Sequence, residues 1–334
     1  MSESARYKTF LFAGLFLVLI AALASLASGR YGLSVADILT TLLGTADNVS
    51  KTAEAVLFNV RIPRVVLALA AGAGMAAAGA AFQAIFSNPL ATPDTLGVAS
   101  GAAFGAVLGI LLGLDAVSVQ LTSFTLGLVA VGLVYGVSRI RGQSSVLMLI
   151  LSGLVIAALF SALISLVKYV ADPQDVLPAI TFWMMGSLTA ANKAVLVTTI
   201  PVIVVGCFAL WALRWKLNAL SLPEVEARSL GIPVVRLRIL AIVAATLISA
   251  SVVSVCGLIG WVGLLIPHFV RLVVGNNNLR VVPASLVYGA LFMLICDTLA
   301  RSMTQMEIPV SILTAVVGAP VFLILLRSNF SIRR

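Results

Sequence analysis

The sequence predicts an all-α integral membrane protein of about ten transmembrane helices, and three observations predict it. Of 334 residues, 61% are apolar and 10% are charged, where a soluble domain carries roughly a quarter charged residues. The apolar residues gather in long runs, and a helix needs about 20 of them to cross a hydrocarbon core of ~30 Å. Basic residues punctuate those runs asymmetrically, as membrane topology requires. The net charge of +9 therefore reads as topology, and no nucleic-acid partner is expected.

Apolar spans are read at residues 10–27, 65–86, 96–114, 119–137 and 146–167, then at 194–213, 238–256, 259–274, 281–299 and 310–326. The first has a rival reading. Arg6 and Lys8 ahead of an apolar run ending in LASLASG resemble a secretory signal peptide. The run of about 18 residues exceeds a usual signal core of 7–15, and its removal would leave nine spans, so it is read as a retained helix. A shorter apolar piece at 180–188 cannot span; it is expected at the surface, with Trp183 at the headgroup level. Small residues crowd the second span, as in AAGAGMAAAGAA at 70–81. They let helix backbones approach where lipid supplies no hydrophobic drive to associate. A compact bundle in contact with membrane lipid follows.

With the N-terminus inside, 14 of the 21 basic residues fall on inner segments and seven on outer ones. Ten spans return the basic tail RSNFSIRR to the inside as well, so both termini are expected to be cytoplasmic.

Several chemistries are missing from the sequence. No Gly-x-x-x-x-Gly-Lys-Ser/Thr occurs, so the chain lacks a P-loop for nucleotide phosphates. It is read as a non-enzyme without cofactor. The three cysteines, Cys207, Cys256 and Cys296, sit far apart in apolar runs and read as small hydrophobes. His268 is the sole histidine, beside Pro267, and reads as a packing residue with no metal cluster around it. Asp297 is the one acid well inside a span. It lies four residues before Arg301, within reach on a helix, and reads as an ion pair near the outer end. An ion-coupled transporter needs ionisable groups near the midplane. Their scarcity points to energy supplied by another subunit.

Glycine and proline interrupt the apolar pattern twice. One break is SNPLATPD at 87–94; the other is GLIGWVGLLIPH at 257–268. Proline removes backbone donors and bars the helical region to the residue before it. Non-helical backbone at membrane depth survives only under cover of protein or a water cavity. Both breaks follow the first long span of an expected repeat, spans 2–5 and 7–10. An offset of five spans makes the two halves inverted, and paired breaks point to the transport pathway. The longest inner hydrophilic stretch is RWKLNALSLPEVEARSLGIPVVRLR at 214–238. A short helix is expected over 218–230, ended by Gly231 and barred from continuing by Pro233. It reads either as a solvated loop or as a knob that docks a soluble partner.

These residues resemble the permease family of iron-siderophore, haem and cobalamin importers of the ATP-binding-cassette (ABC) class. The resemblance covers nearly the whole chain from about Arg61. It rests on RIPR (61–64), GAAFQAIFSNPLATPDTLGVASGA (79–102), LPEVEARSLGIP (222–233), GWVGLLIPHFVRLVVG (260–275), CDTLAR (296–301) and EIPVSILTAVVGAPVFLILL (307–326). It implies one transmembrane permease domain over 1–334, with helices 1–5 within about 10–170, helices 6–10 within about 194–327 and a cytoplasmic coupling loop at about 214–238. It also implies a prokaryotic plasma (inner) membrane, a second permease copy or paralogue sharing the pathway, cytoplasmic ATPase subunits and an extracytoplasmic substrate-binding protein.

By the same resemblance, Glu224, Glu226, Arg228 and Gly231 belong to the segment that contacts the ATPase. Asn88 and Leu90 match positions near the inner gate, together with Ser145, Val146 and Leu147. The family is often polar at the latter stretch, so Val146 and Leu147 suggest a hydrophobic constriction. Arg61, Arg64 and Arg301 match arginines that meet glutamates of the binding protein. The expected cargo is an iron complex, a ferric siderophore first, with haem, cobalamin or molybdate as alternatives. A secondary transporter and a structural or assembly protein are the rival classes.

Overall fold

The computed structural model describes residues 3–29, 31–32, 34–43, 50–140, 143–144, 146–222 and 224–332, with side chains at 42, 139–140, 143–144, 224–225 and 326–332 excepted. Among the described residues the regular structure is helical apart from a short antiparallel pair, Arg139–Ile140 with Gln143–Ser144. Helix α1 is Glu3–Ala27, α2 is Val35–Leu42 and α3 is Lys51–Val56. Helix α3 passes through one π turn, Leu57–Arg61, into α4, Ile62–Ile85. Beyond a 3₁₀ turn at Pro93–Leu96 come α5 (Val98–Leu111), α6 (Ala116–Ser138), α7 (Val146–Val170), α8 (Val176–Met184) and α9 (Lys193–Leu213). Two short helices, α10 (Lys216–Leu220) and α11 (Glu224–Ser229), precede α12 (Val234–Cys256), α13 (Val262–Val274), α14 (Asn278–Ser302) and α15 (Val310–Ile332).

Seven of these helices are long and apolar enough to cross a membrane: α1, the joined Lys51–Ile85, α6, α7, α9, α12 and α14. The spans expected at 96–114, 259–274 and 310–326 appear as shorter apolar helices, Val98–Leu111, Val262–Val274 and Val310–Leu325. The breaks shorten the first two. Gly97 (φ 68°) and Gly257 (φ 69°) adopt left-handed conformations that restart the chain before each helix. At 1.5 Å per residue, α5 is about 21 Å long, less than the hydrocarbon thickness. The apolar piece expected at 180–188 begins in α8, Val176–Met184, whose nine residues cannot span, and continues four residues past its end.

Two helices make the centre. In both Lys51–Ile85 and α12, 78% of the most apolar window is buried inside the protein, against 17% for α1 and 22% for α9. Helix α4 lies against α9, α12, α13 and α14, while α12 lies against α4, α5, α6 and α9. The small residues of α4 make this possible. A Cβ on Gly72 would stand 2.2 Å from the carbonyl oxygen of Gly289 in α14. One on Gly79 would stand 1.9 Å from that of Gly263 in α13. Any side chain at these crossings would drive the helices apart, so van der Waals contact between bare backbones replaces side-chain interdigitation.

Candidate functional site

The end of the bundle that the sequence expects to face outward, here the outer end, gathers the three arginines singled out in the sequence. Arg61 closes the π turn, and Arg64 lies in the first turn of α4. Arg301 sits in the last turn of α14. All three point into the protein. Arg61, only 5% exposed, donates to the carbonyl oxygens of Leu26 at 2.5 Å, of Ala27 at 3.3 Å and of Tyr31. Arg301 donates to Ser28 O at 2.5 Å, to Ser25 O and to Ser25 Oγ at 2.8 Å. The last carbonyls of a helix have no intrahelical partner and carry its negative dipole end. Two guanidinium groups therefore cap α1.

Arg64 holds two carboxylates. Its Nε and Nη2 reach Asp297 at 2.9–3.1 Å, and Nη1 and Nη2 reach Glu307 at 3.0 and 2.9 Å. Arg301 Nε lies 3.7 Å from the same Asp297, which is fully buried. The i, i+4 pair expected from the sequence is thus present but secondary. The main partner of Asp297 comes from 233 residues away, and neither that contact nor Glu307 carries a local signal.

At the opposite end, which the sequence expects to face inward and is here the inner end, the single helix expected over 218–230 is split into α10 and α11. Leu222 precedes Pro223, and a residue before proline avoids the helical region. Glu226 and Arg228 are exposed on α11; the side chain of Glu224 lies outside the described residues. Gly231 stands where the sequence put it, with φ 74°. Its N–H donates to Arg228 O at 2.9 Å, and that of Ile232 to Ala227 O at 3.2 Å, closing the helix by a left-handed cap.

The SNPLATPD turn is built by Asn88. Its Oδ1 accepts from the Leu90 N–H at 2.9 Å, its carbonyl from Ala91 at 3.1 Å, and its own N–H donates to Gln83 O at 3.1 Å. Leu90 is exposed. The following 3₁₀ turn packs on α7, where a Cβ at Gly153 would come 2.0 Å from Thr95 O. Gly153 lies two turns beyond Val146 and Leu147, of which Leu147 is exposed. Ser145 falls outside the described residues. Among the described residues Ser87 (φ 47°) and Trp261 (φ 70°) are the non-glycines in the left-handed region, one in each break. Such strain persists only where surrounding structure enforces it, and it concentrates at functional sites. His268 is buried and meets the Phe322 ring edge-on at 5.4 Å.

An open cavity of ≈ 560 Å³ lies at the outer end between α5, α6, α8, α9 and the end of α12. Its walls are mostly apolar, with Gln120, Ser187, Thr189 and Ser254 as polar groups and Glu307 as the charged one.

Residues 17–328 match the model of the FecCD transport family. The chain is 42% identical over 319 residues to a molybdate import system permease protein, MolB, of Haemophilus influenzae, covering 95% of this chain and 94% of that one. It is 38% identical over 271 residues to a probable iron chelatin transport system permease protein of Helicobacter pylori, covering 81% and 82%. A solved structure described as a metal-chelate type ABC transporter in an inward-facing conformation superposes with a TM-score of 0.88 at 40% identity, covering 96% of this chain and 99% of that one. The helical breaks, the buried pair of central helices and these matches along almost the full length lead to one conclusion: the chain belongs to the FecCD transport family.

Proposed function

We propose that this permease carries an iron complex inward, a ferric siderophore in the first instance, driven by separate cytoplasmic ATPase subunits and supplied by an extracytoplasmic binding protein. A permease subunit of an ABC importer is the level at which family and relatives agree. The observation that carries the cargo reading is the outer cavity. Its apolar walls and lone carboxylate suit a metal wrapped in an organic chelator, since ligand sites are largely apolar with a few placed polar groups. A bare oxyanion would find no cationic side chain among the residues lining it. The H. pylori relative and the metal-chelate structure agree with this reading. Molybdate is the second reading, favoured by the 42% identity to MolB over 95% of the chain. Haem and cobalamin remain alternatives within the same class.

Two permease copies would share the pathway, with both termini cytoplasmic in a prokaryotic inner membrane and with the halves inverted about the α4–α12 contact. The α11 knob, with Glu226, Arg228 and the Gly231 cap, would meet the ATPase. Asn88, Leu90, Val146 and Leu147 would line the inner gate. The outer face would meet the binding protein. There Arg61, Arg64 and Arg301 act from within: they hold the outer ends of α1, α4 and α14 in the shape the partner reads.

Uptake into vesicles holding the permease, its ATPase and its binding protein tests the cargo. Radioiron delivered as a ferric siderophore should accumulate with ATP hydrolysis, and radiolabelled molybdate should not. Accumulation of molybdate alone would overturn the iron reading in favour of the second. Accumulation dependent on a proton gradient with ATP absent would overturn the importer class.

A further inference from the structure

The 214–238 stretch is tied to the rest of the protein by an amide that the functional reading above does not use. Asn218, in the short helix α10, accepts from the backbone N–H of Asn278 at 2.7 Å through Oδ1. Its Nδ2 donates to Asn277 Oδ1 at 2.9 Å. Asn277 is the N-cap of α14, and the same oxygen accepts from Leu279 N–H at 3.0 Å. Backbone N–H groups can only donate, so they fix which end of each amide is oxygen.

The contacts continue inward. The side chain of Asn278, 1% exposed, accepts from Arg271 Nη2 of α13 at 3.2 Å. Arg271 Nη2 also reaches Ala80 O at 3.4 Å, and its Nε reaches Gln83 Oε1 at 3.3 Å, both on α4. Gln83 returns a bond to Leu264 O of α13 at 3.3 Å. Its own carbonyl holds the N–H of Asn88 in the SNPLATPD turn. An unbroken chain of hydrogen bonds therefore joins α10 to the inner gate turn. Leu217 and Leu220 of α10 are also buried, but apolar contacts tolerate sliding, whereas a chain of donors and acceptors keeps register.

We propose that Asn218 is a positioning residue that carries movement of the 224–231 elbow, through Asn277, Asn278, Arg271 and Gln83, to the inner gate turn at Asn88. This rests on the reading that the elbow meets the ATPase. Coupling between sites travels through such contiguous contacts, and a demonstration requires that both ends respond to one event.

Amide hydrogen exchange on the permease–ATPase complex in lipid, with and without a trapped ATP state, tests it. In the wild type, trapping changes exchange in residues 224–231 and in residues 87–97. In Asn218→Ala the first segment still responds and the second does not. ATPase association and hydrolysis persist while cargo moved per ATP falls, on the order of fivefold. Asn218→Asp is nearly isosteric and serves if the alanine variant does not insert. It keeps the acceptor for Asn278 and loses the donor to Asn277, so the response at 87–97 should weaken without vanishing. Asn277→Asp keeps the oxygen that Asn218 and Leu279 need, so it should respond like the wild type. Loss of the response there would mark the contact as mere packing and overturn the proposal. A full response at 87–97 in both Asn218 variants, with transport per ATP unchanged, would also overturn it and leave the elbow reading standing. No response at 224–231 in the wild type would remove the elbow reading itself, and the relay with it.

Discussion

At its outer end α4 is fastened by charge. Arg64 grips Asp297 and Glu307, and Arg301 shares Asp297. At its inner end α4 is fastened by Gln83 and the carbonyl of Ala80, held by Arg271, whose hydrogen-bond partners there are all amide oxygens. The two ends differ in what rearrangement costs. Removing one partner from a buried ion pair leaves a desolvated charge, at about 3–5 kcal/mol. At Arg271 each bond is charge-assisted, on the order of 1.5–3 kcal/mol, but one amide oxygen can replace another there and no counter-charge is stranded by the exchange. The outer end therefore suits a fixed frame. The inner end suits a part that shifts between arrangements.

The largest expected effect tests the frame. Asp297→Ala leaves Arg64 with Glu307 alone and takes the counter-charge from Arg301, and we expect a loss on the order of 3 kcal/mol, read as a marked fall in melting temperature of the purified protein or as failure to accumulate in the membrane. Melting like the wild type would make the outer cluster ornamental and erase the contrast.

Gly231→Val comes next, at the inner elbow. No atom lies within 4 Å of a Cβ there, so the penalty is the left-handed φ alone, about 1–2 kcal/mol. The variant should insert and keep its outer frame, yet lose ATPase association or coupled hydrolysis. Unaltered coupling would show that the cap does not set the elbow. Asn277→Ala removes the α14 N-cap and should cost about 1 kcal/mol, a modest melting shift measurable against Asp297→Ala in the same assay. The smallest effect is at the surface. Arg280 pairs with Glu3 at 3.0 Å, but that acid is 86% exposed. Glu3→Gln should leave melting unchanged, because exposed pairs contribute little. A clear shift would mean that burial is not what separates strong from weak pairs here.

Hydropathy and Gly/Pro punctuation made the membrane class, both breaks and the Gly231 cap readable, because each depends on residues near in sequence. The strain at Ser87 and Trp261 was readable only as the presence of those breaks. Span lengths were less so: 96–114 and 259–274 read as full spans, since composition does not reveal that Gly97 and Gly257 turn left-handed. The site was legible in part. The arginines at 61, 64 and 301 stood out as charges at span ends, but their partners did not. Asp297 meets Arg64 across 233 residues, and Glu307 meets it across 243. Asn218 read only as the start of a short helix, and nothing local marked its partners at the α14 cap. Contacts of that kind arise from helix packing, which no local pattern encodes.

The backbone crossings of α4 with α14 at Gly72–Gly289 and with α13 at Gly79–Gly263 have a mechanical consequence. Interlocked side chains would fix both the separation and the angle of two helices. Backbones this close, with only the Cβ atoms of Ala76 and Met293 and the ring of Pro93 beside them, fix the separation more tightly than the angle. Each crossing is thus a pivot: the inner helix ends can swing through an arc while the crossing point stays put and the Arg64–Asp297 pair holds the outer end of α4 to α14. Spin labels flanking either crossing should keep their distance through a transport cycle that changes the distances at the inner helix ends.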